Sequence, residues 1–355
     1  MESQEVKEIT PALSCPLPMS DYPKVLLAHG GGGSLSHKMI EELFVKQFHN
    51  EQLDELHDGA TLEINGMRLA FSTDSFVVDP LFFPGGDIGM LAVNGTVNDL
   101  AMCGAAPLYL SAAFIIEEGF SMDELRKIVH SMRDAAARAG VRLVTGDTKV
   151  VDKGKGDKIF INTSGIGLIP EGVDISPKNA RPGDKILLSG KIAEHGIAIM
   201  SVREGLEFET EIQSDCAPLN TLVASMLKAG NQIHVLRDPT RGGVASALNE
   251  IAESAKVGMM IQEERIPIGE AVKGACEILG FDPLYVANEG KLLAIAEASD
   301  AEKILSAMRA HLLGRDSAII GEVVSGNAGT VLMKSLIGGT RTVDMLSGEQ
   351  LPRIC

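Results

Sequence analysis

Apolar side chains alternate between helical and strand spacing along the chain. Between residues 34 and 48, Met39, Ile40, Leu43, Phe44 and Phe48 share one face at a 3.6-residue period, which predicts an amphipathic helix. Residues 25–28 predict a short strand before it. The stretches 61–65 and 68–73 flank Gly66 as a hairpin. Residues 90–102 predict a buried helix ending at Gly104, and 108–116 a long apolar strand. Ser121 with Glu124 has capping-box spacing. Leu125, Ile128, Val129 and Met132 then form an apolar stripe that Gly140 ends. Strands are expected at 141–144 and 159–169.

A turn-rich stretch, 170–183, marks a boundary. Beyond it, 186–188, 318–324 and 330–333 predict strands, and 244–255 a helix. Another helix opens at Ser299, with Glu302 three residues on, and ends near Gly314. Residues 335–355 carry Gly338, Gly339, Gly348 and Pro352 with weak periodicity, and predict an extended, mobile tail. Both halves are α plus β. The division expected is 1–24 as an N-terminal extension, 25–176 and 177–334 as domains, and 335–355 as the tail.

The length, 355 residues, suits two domains, and 45% hydrophobic residues can fill a core in each. The formal charge of −16, without a Lys/Arg run, argues against a nucleic-acid partner. It allows a triphosphate if divalent cations screen it. No apolar run is long enough to span a membrane. The five cysteines, Cys15, Cys103, Cys216, Cys276 and Cys355, form no C-x-x-C pair, so reduced thiols and a cytoplasmic location are expected.

Five groups of residues carry candidate chemistry. The run His29, Gly30, Gly31, Gly32, Gly33, Ser34 precedes a helix, where backbone N–H groups can approach phosphates; it is equally a hinge. Asp58, Asp74, Asp99, Asp147 and Asp238 sit at predicted element edges. A carboxylate in an apolar helix, as Asp99 is, costs several kcal/mol unless paired or ligating a metal, and Mg²⁺ beside a triphosphate is its natural partner. Asp238 reads equally as a helix cap. Lys149 suits a transferring phosphoryl group, or a salt bridge with Asp147 or Asp152. Glu289, ahead of the apolar run 292–296, suits a general base or an edge-strand charge. Cys355, at the end of the sequence, can enter a narrow cleft end-on, or is a free thiol on a frayed end. Ile354 would anchor it in an apolar slot, and Arg353 would pair with an acidic group or a phosphate.

Four motifs carry a family resemblance: STDSFVVDPLFFPGGDIG at 72–89, GTVNDLAMCG at 95–104, GDTKVV at 146–151 and PRIC at 352–355. Through them the chain resembles the HypE family of hydrogenase maturation proteins, in the aminoimidazole-ribonucleotide synthetase-like superfamily, from about residue 25 to 355. The resemblance implies an α+β, two-domain fold whose N-terminal domain binds ATP and builds a β-barrel shared across a homodimer. It implies that Cys355 receives a carbamoyl group from a carbamoyltransferase (HypF). ATP-dependent dehydration then gives a thiocyanate, whose cyanide passes through the HypC–HypD complex to the iron of NiFe hydrogenase. Lys149 and Glu289 match the family's catalytic lysine and glutamate. Asp58, Asp74, Asp99 and Asp238 match metal-binding aspartates. Gly31, Gly32, Gly33, Asn98 and Asp147 are the expected contacts of the nucleotide. A selenophosphate synthetase, a purine-pathway ligase or a non-enzymatic carrier bearing its cargo on Cys355 are the competing readings.

Overall fold

The computed structural model describes residues 22–206, 212–348, 351 and 353–355. Most of the expected N-terminal extension, with Cys15, lies outside the described residues, as does Pro352.

The first half runs α1 (Ser34–Met39), a π-helical stretch (Ile40–Val45), α2 (Lys46–Phe48), β1 (Ala60–Ile64), β2 (Met67–Phe76), the two-residue strands β3 (Phe82–Phe83) and β4 (Gly86–Asp87), α3 (Ile88–Met102), β5 (Ala106–Glu117), α4 (Met122–Ala139), β6 (Arg142–Val151) and β7 (Ile159–Leu168). Its main sheet has the order β1-β2-β7-β5-β6. Asn65 (φ 52°) and Gly66 (φ 77°) are both left-handed, the geometry an Asn-Gly hairpin turn demands, and they set the register of β1 on β2. Strand β6 returns parallel to β5 after the crossover through α4. That helix starts as expected, with Ser121 Oγ accepting the Glu124 N–H at 3.4 Å, and ends on left-handed Gly140.

Helices α3 and α4 cover one face of this sheet. Thr163 of β7 donates to the Ala92 carbonyl of α3 and accepts from the Thr96 hydroxyl, both at 2.6 Å, so a buried polar stitch fixes helix on sheet. Gly165 keeps that approach close: a Cβ there would lie 2.6 Å from Leu110 and 2.8 Å from Leu100. The opposite face is open, with Phe71, Ile115, Ile166 and Leu168 exposed. The edges, β1 and β6, do not meet, so no barrel closes within one chain.

The second half contributes β8 (Lys185–Leu188), α5 (Glu194–Arg203), α6 (Asn220–Ala229), β9 (Ile233–Arg237), α7 (Gly243–Ala255), β10 (Gly258–Gln262), α8 (Glu270–Leu279), β11 (Leu293–Ala296), α9 (Ala298–Ala310), β12 (Ala318–Val324), β13 (Val331–Lys334) and β14 (Thr340–Thr342). They build a mixed sheet of order β14-β13-β10-β12-β8-β11-β9. Strands β8 and β11 lie inside it, which is why their sequences are continuous apolar runs.

Three expectations are corrected. Residues 25–28 form no strand: they lead into a 3₁₀ turn over Leu27–Gly30, which the Leu26 N–H closes on His29 Nδ1 at 3.0 Å. The helix after the glycines winds as a π-helix through Ile40–Val45, which shifts the side-chain register; Ile40, Leu43, Phe44 and Phe48 are exposed rather than buried on one face. The segment read as a mobile tail adds β14 to the second sheet, buries Val343, and ends with Ile354 2% and Cys355 7% exposed in the interior.

Replacing Thr163 with Val removes the acceptor of the buried Thr96 hydroxyl. We expect a loss of about 1–3 kcal/mol in unfolding free energy, read from urea denaturation. Unchanged stability would show that the stitch contributes nothing.

Candidate active site

The site forms where β2, the last turn of α3, the end of β9, the loop before β11 and the tail converge. On β2, Ser72 and Asp74 point to one side, as alternate strand residues do. On α3, Gly95 and Asp99 lie one turn apart on one face. A Cβ on Gly95 would sit 2.8 Å from Phe76 and 3.6 Å from Asp74 Oδ2, so the glycine lets β2 press close. Asp99 accepts from Ser72 Oγ at 2.6 Å. Asp58 is held by Arg237 Nε at 3.0 Å, and Arg237 also grips Glu250.

Asp238 follows β9. It does not cap α7, whose N-cap is Gly242. Instead it is buried, and its Oδ2 has no hydrogen-bond partner. Glu289 is likewise buried, with Oε1 unpartnered, and it precedes an interior strand, so it is not an edge charge. Burial of an unpaired carboxylate raises its proton affinity, and neighbouring carboxylates add to that. Burial, then Asp238, Asp74 and Asp58, hold Asp99 well above the usual carboxyl range. Burial, then Asp58, does the same to Asp238. Burial, then Asp238, Asp74 and Asp215, raises Glu289. Asp74 is raised by burial while Arg241 opposes the shift.

Cys355 sits among these groups. Burial pushes its thiol up, Arg241 pulls it down, and Glu289, Asp74 and Asp238 push it further up. Its backbone oxygen accepts from Val77 N at 3.0 Å, and the Arg353 carbonyl accepts from Asp79 N at 3.2 Å. The Arg353 guanidinium pairs with Asp157 and, at 3.9 Å, with Asp79. Ile354 packs in the core beside Leu351, leaving a void of only ≈ 10 Å³ next to Arg241 and Tyr285. A larger cleft of ≈ 710 Å³, within the size range of small-molecule sites, is lined by His57, Asp58, Phe71, Arg237 and Glu250.

The structure thus gathers Asp58, Asp74, Asp99, Asp238, Glu289 and Cys355. It does not gather the rest. Asn98 spends its side chain on backbone: Nδ2 donates to the Ala217 and Glu289 carbonyls, and Oδ1 accepts from Leu219 N at 2.8 Å, which leaves nothing for a nucleotide. Lys149 donates to both oxygens of Asp147 at 2.8 and 2.6 Å on the exposed strand β6, and is not gathered with Asp58, Asp74, Asp99 and Asp238. The glycine run packs on the protein itself. Cβ atoms on Gly32 and Gly33 would lie 2.6 Å from Arg241 Cβ and 2.2 Å from the Leu346 carbonyl, which takes the Ser34 N–H.

Sequence reasoning passed over Arg241. Its signal was the pair of glycines after it: Gly242 (φ 78°) and Gly243 (φ 62°) make the left-handed turn that starts α7. Among the described residues, no three of His, Cys, Asp and Glu are gathered closely enough to hold a metal. The unpartnered, repelling oxygens of Asp58, Asp238 and Glu289 nevertheless suit a hard cation arriving with its own oxygen ligands.

The sequence matches the AIR synthase related protein N-terminal domain over residues 56–169 and the corresponding C-terminal domain over 181–334. It is 56% identical over 331 residues to Carbamoyl dehydratase HypE of Azotobacter vinelandii, covering 93% of this chain and 97% of that one. The chain belongs to the HypE family. A solved HypE–HypF complex contains a chain of TM-score 0.83 and 53% identity, with 87% of this chain and 99% of that chain covered. A HypE structure in complex with ATP gives TM-score 0.79 at 51% identity, covering 94% and 100%. The motifs at 72–89 and 95–104, on which the resemblance rested, are the ones that place Asp74 and Asp99.

The crowded carboxyls make stability depend on pH in a defined sense. Their folded pKa values are raised, so the folded chain holds their protons more tightly than the unfolded chain. That contribution is present at low pH and is lost as pH climbs through the folded values. Asp238→Asn removes one repelling charge without removing a side-chain hydrogen bond. In cation-free buffer it should raise the melting temperature, by more at pH 8 than at pH 5. A lowered melting temperature at pH 8 would contradict the repulsion.

Proposed function

We propose that this chain is an ATP-dependent carbamoyl dehydratase acting on its own Cys355, supplying the cyanide ligand of the NiFe-hydrogenase iron. The observation that carries this is Cys355, held 7% exposed among Arg241, Glu289, Asp74 and Asp238. A thiol placed there is no frayed end.

The chemistry balances as follows. The oxygen of the S-carbamoyl group attacks the γ-phosphorus of ATP, its nitrogen loses a proton, and ADP leaves. The carbon–oxygen bond then breaks, phosphate departs, the second N–H proton is lost, and Cys355 carries S–C≡N. An amide oxygen is a poor leaving group, and phosphate a good one. Glu289, its proton affinity raised by burial, is the base for the N–H proton. Arg241 offsets negative charge beside the thiol. Asp74, Asp99 and Asp238, with Asp58 behind them, would hold Mg²⁺, which supplies charge for the phosphoryl oxygens.

Lys149 serves the same reaction from a homodimer. In one chain its side chain is 67% exposed on β6. The outer face of the first sheet is apolar and open there. Packing two such faces together gives the shared barrel and covers β6. In this reading residues 25–176 bind ATP and dimerise, 177–334 complete the cleft, and 335–355 carry the acceptor. The Gly31–Gly33 contact with phosphate would require Leu346 to release the loop. HypF loads the carbamoyl group, the HypC–HypD complex takes the cyanide, and the setting is the cytoplasm.

The test is intact mass of the C-terminal peptide after carbamoylation by HypF, before and after ATP. The expected change is loss of one water at Cys355. Glu289→Gln should keep ATP binding and slow dehydration by about 10²–10⁴-fold. A carbamoyl mass that ATP leaves unchanged would defeat the proposal.

A further inference from the structure

Besides the side chains of Arg353 and Ile354, the backbone of the tail is itself held by the protein. His195 opens α5, is 0% exposed, and packs edge-on against Phe83 with ring centroids 5.5 Å apart. Its Nε2 lies 2.8 Å from the Ile354 carbonyl, and its Nδ1 lies 2.8 Å from Ser214 Oγ. A carbonyl only accepts, so Nε2 carries the hydrogen. In the neutral ring Nδ1 must then accept, and Ser214 donates to it. The Ser214 hydroxyl in turn accepts the Cys216 N–H at 3.1 Å. Ser214 is itself fixed by its N–H on the Pro84 carbonyl at 2.8 Å. One directed chain of hydrogen bonds therefore runs from the 214–216 loop through His195 to the residue before the acceptor cysteine. At the far end of α5, Arg203 donates to the Arg353 and Asp79 carbonyls.

We infer that His195 is a positioning residue that locks the tail in the cleft by donating to the Ile354 carbonyl, with Ser214 fixing the donor tautomer. Arg203 holds the next carbonyl back, but it sits on the half-buried rim, whereas the His195 bond is fully enclosed. An enclosed bond is the costly one to lose, because the carbonyl is then left unpaired in the interior. Side-chain identity enters through Ile354 and through the ion pairs of Arg353, and the last carbonyls are read as backbone. The inference builds on Cys355 as acceptor only for its consequence, that the thiol is aimed at Glu289 and Arg241. The docking itself is tested without any chemistry on a carbamoyl group.

The experiment measures iodoacetamide alkylation of Cys355 in the full chain, resolved on the C-terminal peptide by mass. Buried Cys103 and Cys276 are internal references. Wild type, His195→Leu and His195→Gln are compared, with ATP binding and a melting curve for each. Gln keeps an N–H donor near the place of Nε2. The expected result is alkylation of Cys355 about tenfold faster in His195→Leu, a rate within about threefold of wild type in His195→Gln, and unchanged Cys103 and Cys276. Equal rates in Leu and wild type, or equal acceleration in Leu and Gln, overturn the inference. If His195→Leu loses ATP binding, Ser214→Ala decides: several-fold faster alkylation supports the lock, and an unchanged rate sinks it. Failure of dehydration with Cys355 still protected would instead count against the proposed function.

Discussion

Several carboxylates share one poorly solvated cleft with too little positive charge to balance them, and the site is organised around that imbalance. Arg237 answers Asp58 and Glu250, and Arg241 faces Asp74 and Cys355. For Asp99, Asp238 and Glu289, burial and repulsion by neighbouring carboxylates outweigh the help they receive from Ser72, Arg237 and Arg241 respectively. Such an arrangement costs stability when the chain is alone. It persists because the elements that carry it are fixed by other contacts: α3 by the Thr96–Thr163 stitch, and β9 and β11 by their places within a seven-stranded sheet. The strain is held at the site and resisted by the two cores around it.

The tail is part of the same construction. Val77, Asp79, His195 and Arg203 all engage its backbone, while Ile354 fills a slot with almost no free volume. The thiol is thereby placed beside Arg241, which also faces Asp74, Glu289 and Asp99. Binding of an anionic nucleotide with its counter-cations would relieve the repulsion, and the same event would act on the charges around Cys355. In the proposed reaction, nucleotide and acceptor would then be coupled through electrostatics as well as through space.

Much of this was legible in the sequence where local chemistry dominates. The Asn65–Gly66 turn, the Ser121 cap with Gly140 and the largely apolar α3 each announce themselves. Asp99 stood out because a carboxylate in an apolar helix demands a reason, and Glu289 because it precedes a buried strand. What sequence could not give was direction. Asn98 and Asp99 are adjacent, yet one faces backbone and the other the cleft. Lys149 reads as part of the site, but it lies on an exposed edge strand. The strand β6 was foreseen only to residue 144, because its exposed second half alternates polar residues like a turn. Arg241 and His195 were missed because each matters through contacts about a hundred residues or more away in sequence.

The central claim is that raised, mutually repelling carboxyls ionise to receive the cation carried by the nucleotide. It is tested most directly by calorimetric titration of the full chain with Mg²⁺–ATP near neutral pH, in two buffers of different ionisation enthalpy. The difference between them gives the protons exchanged on binding. The account predicts net release of protons, diminished in Asp238→Asn. Binding with no proton exchange, or with uptake, would contradict it.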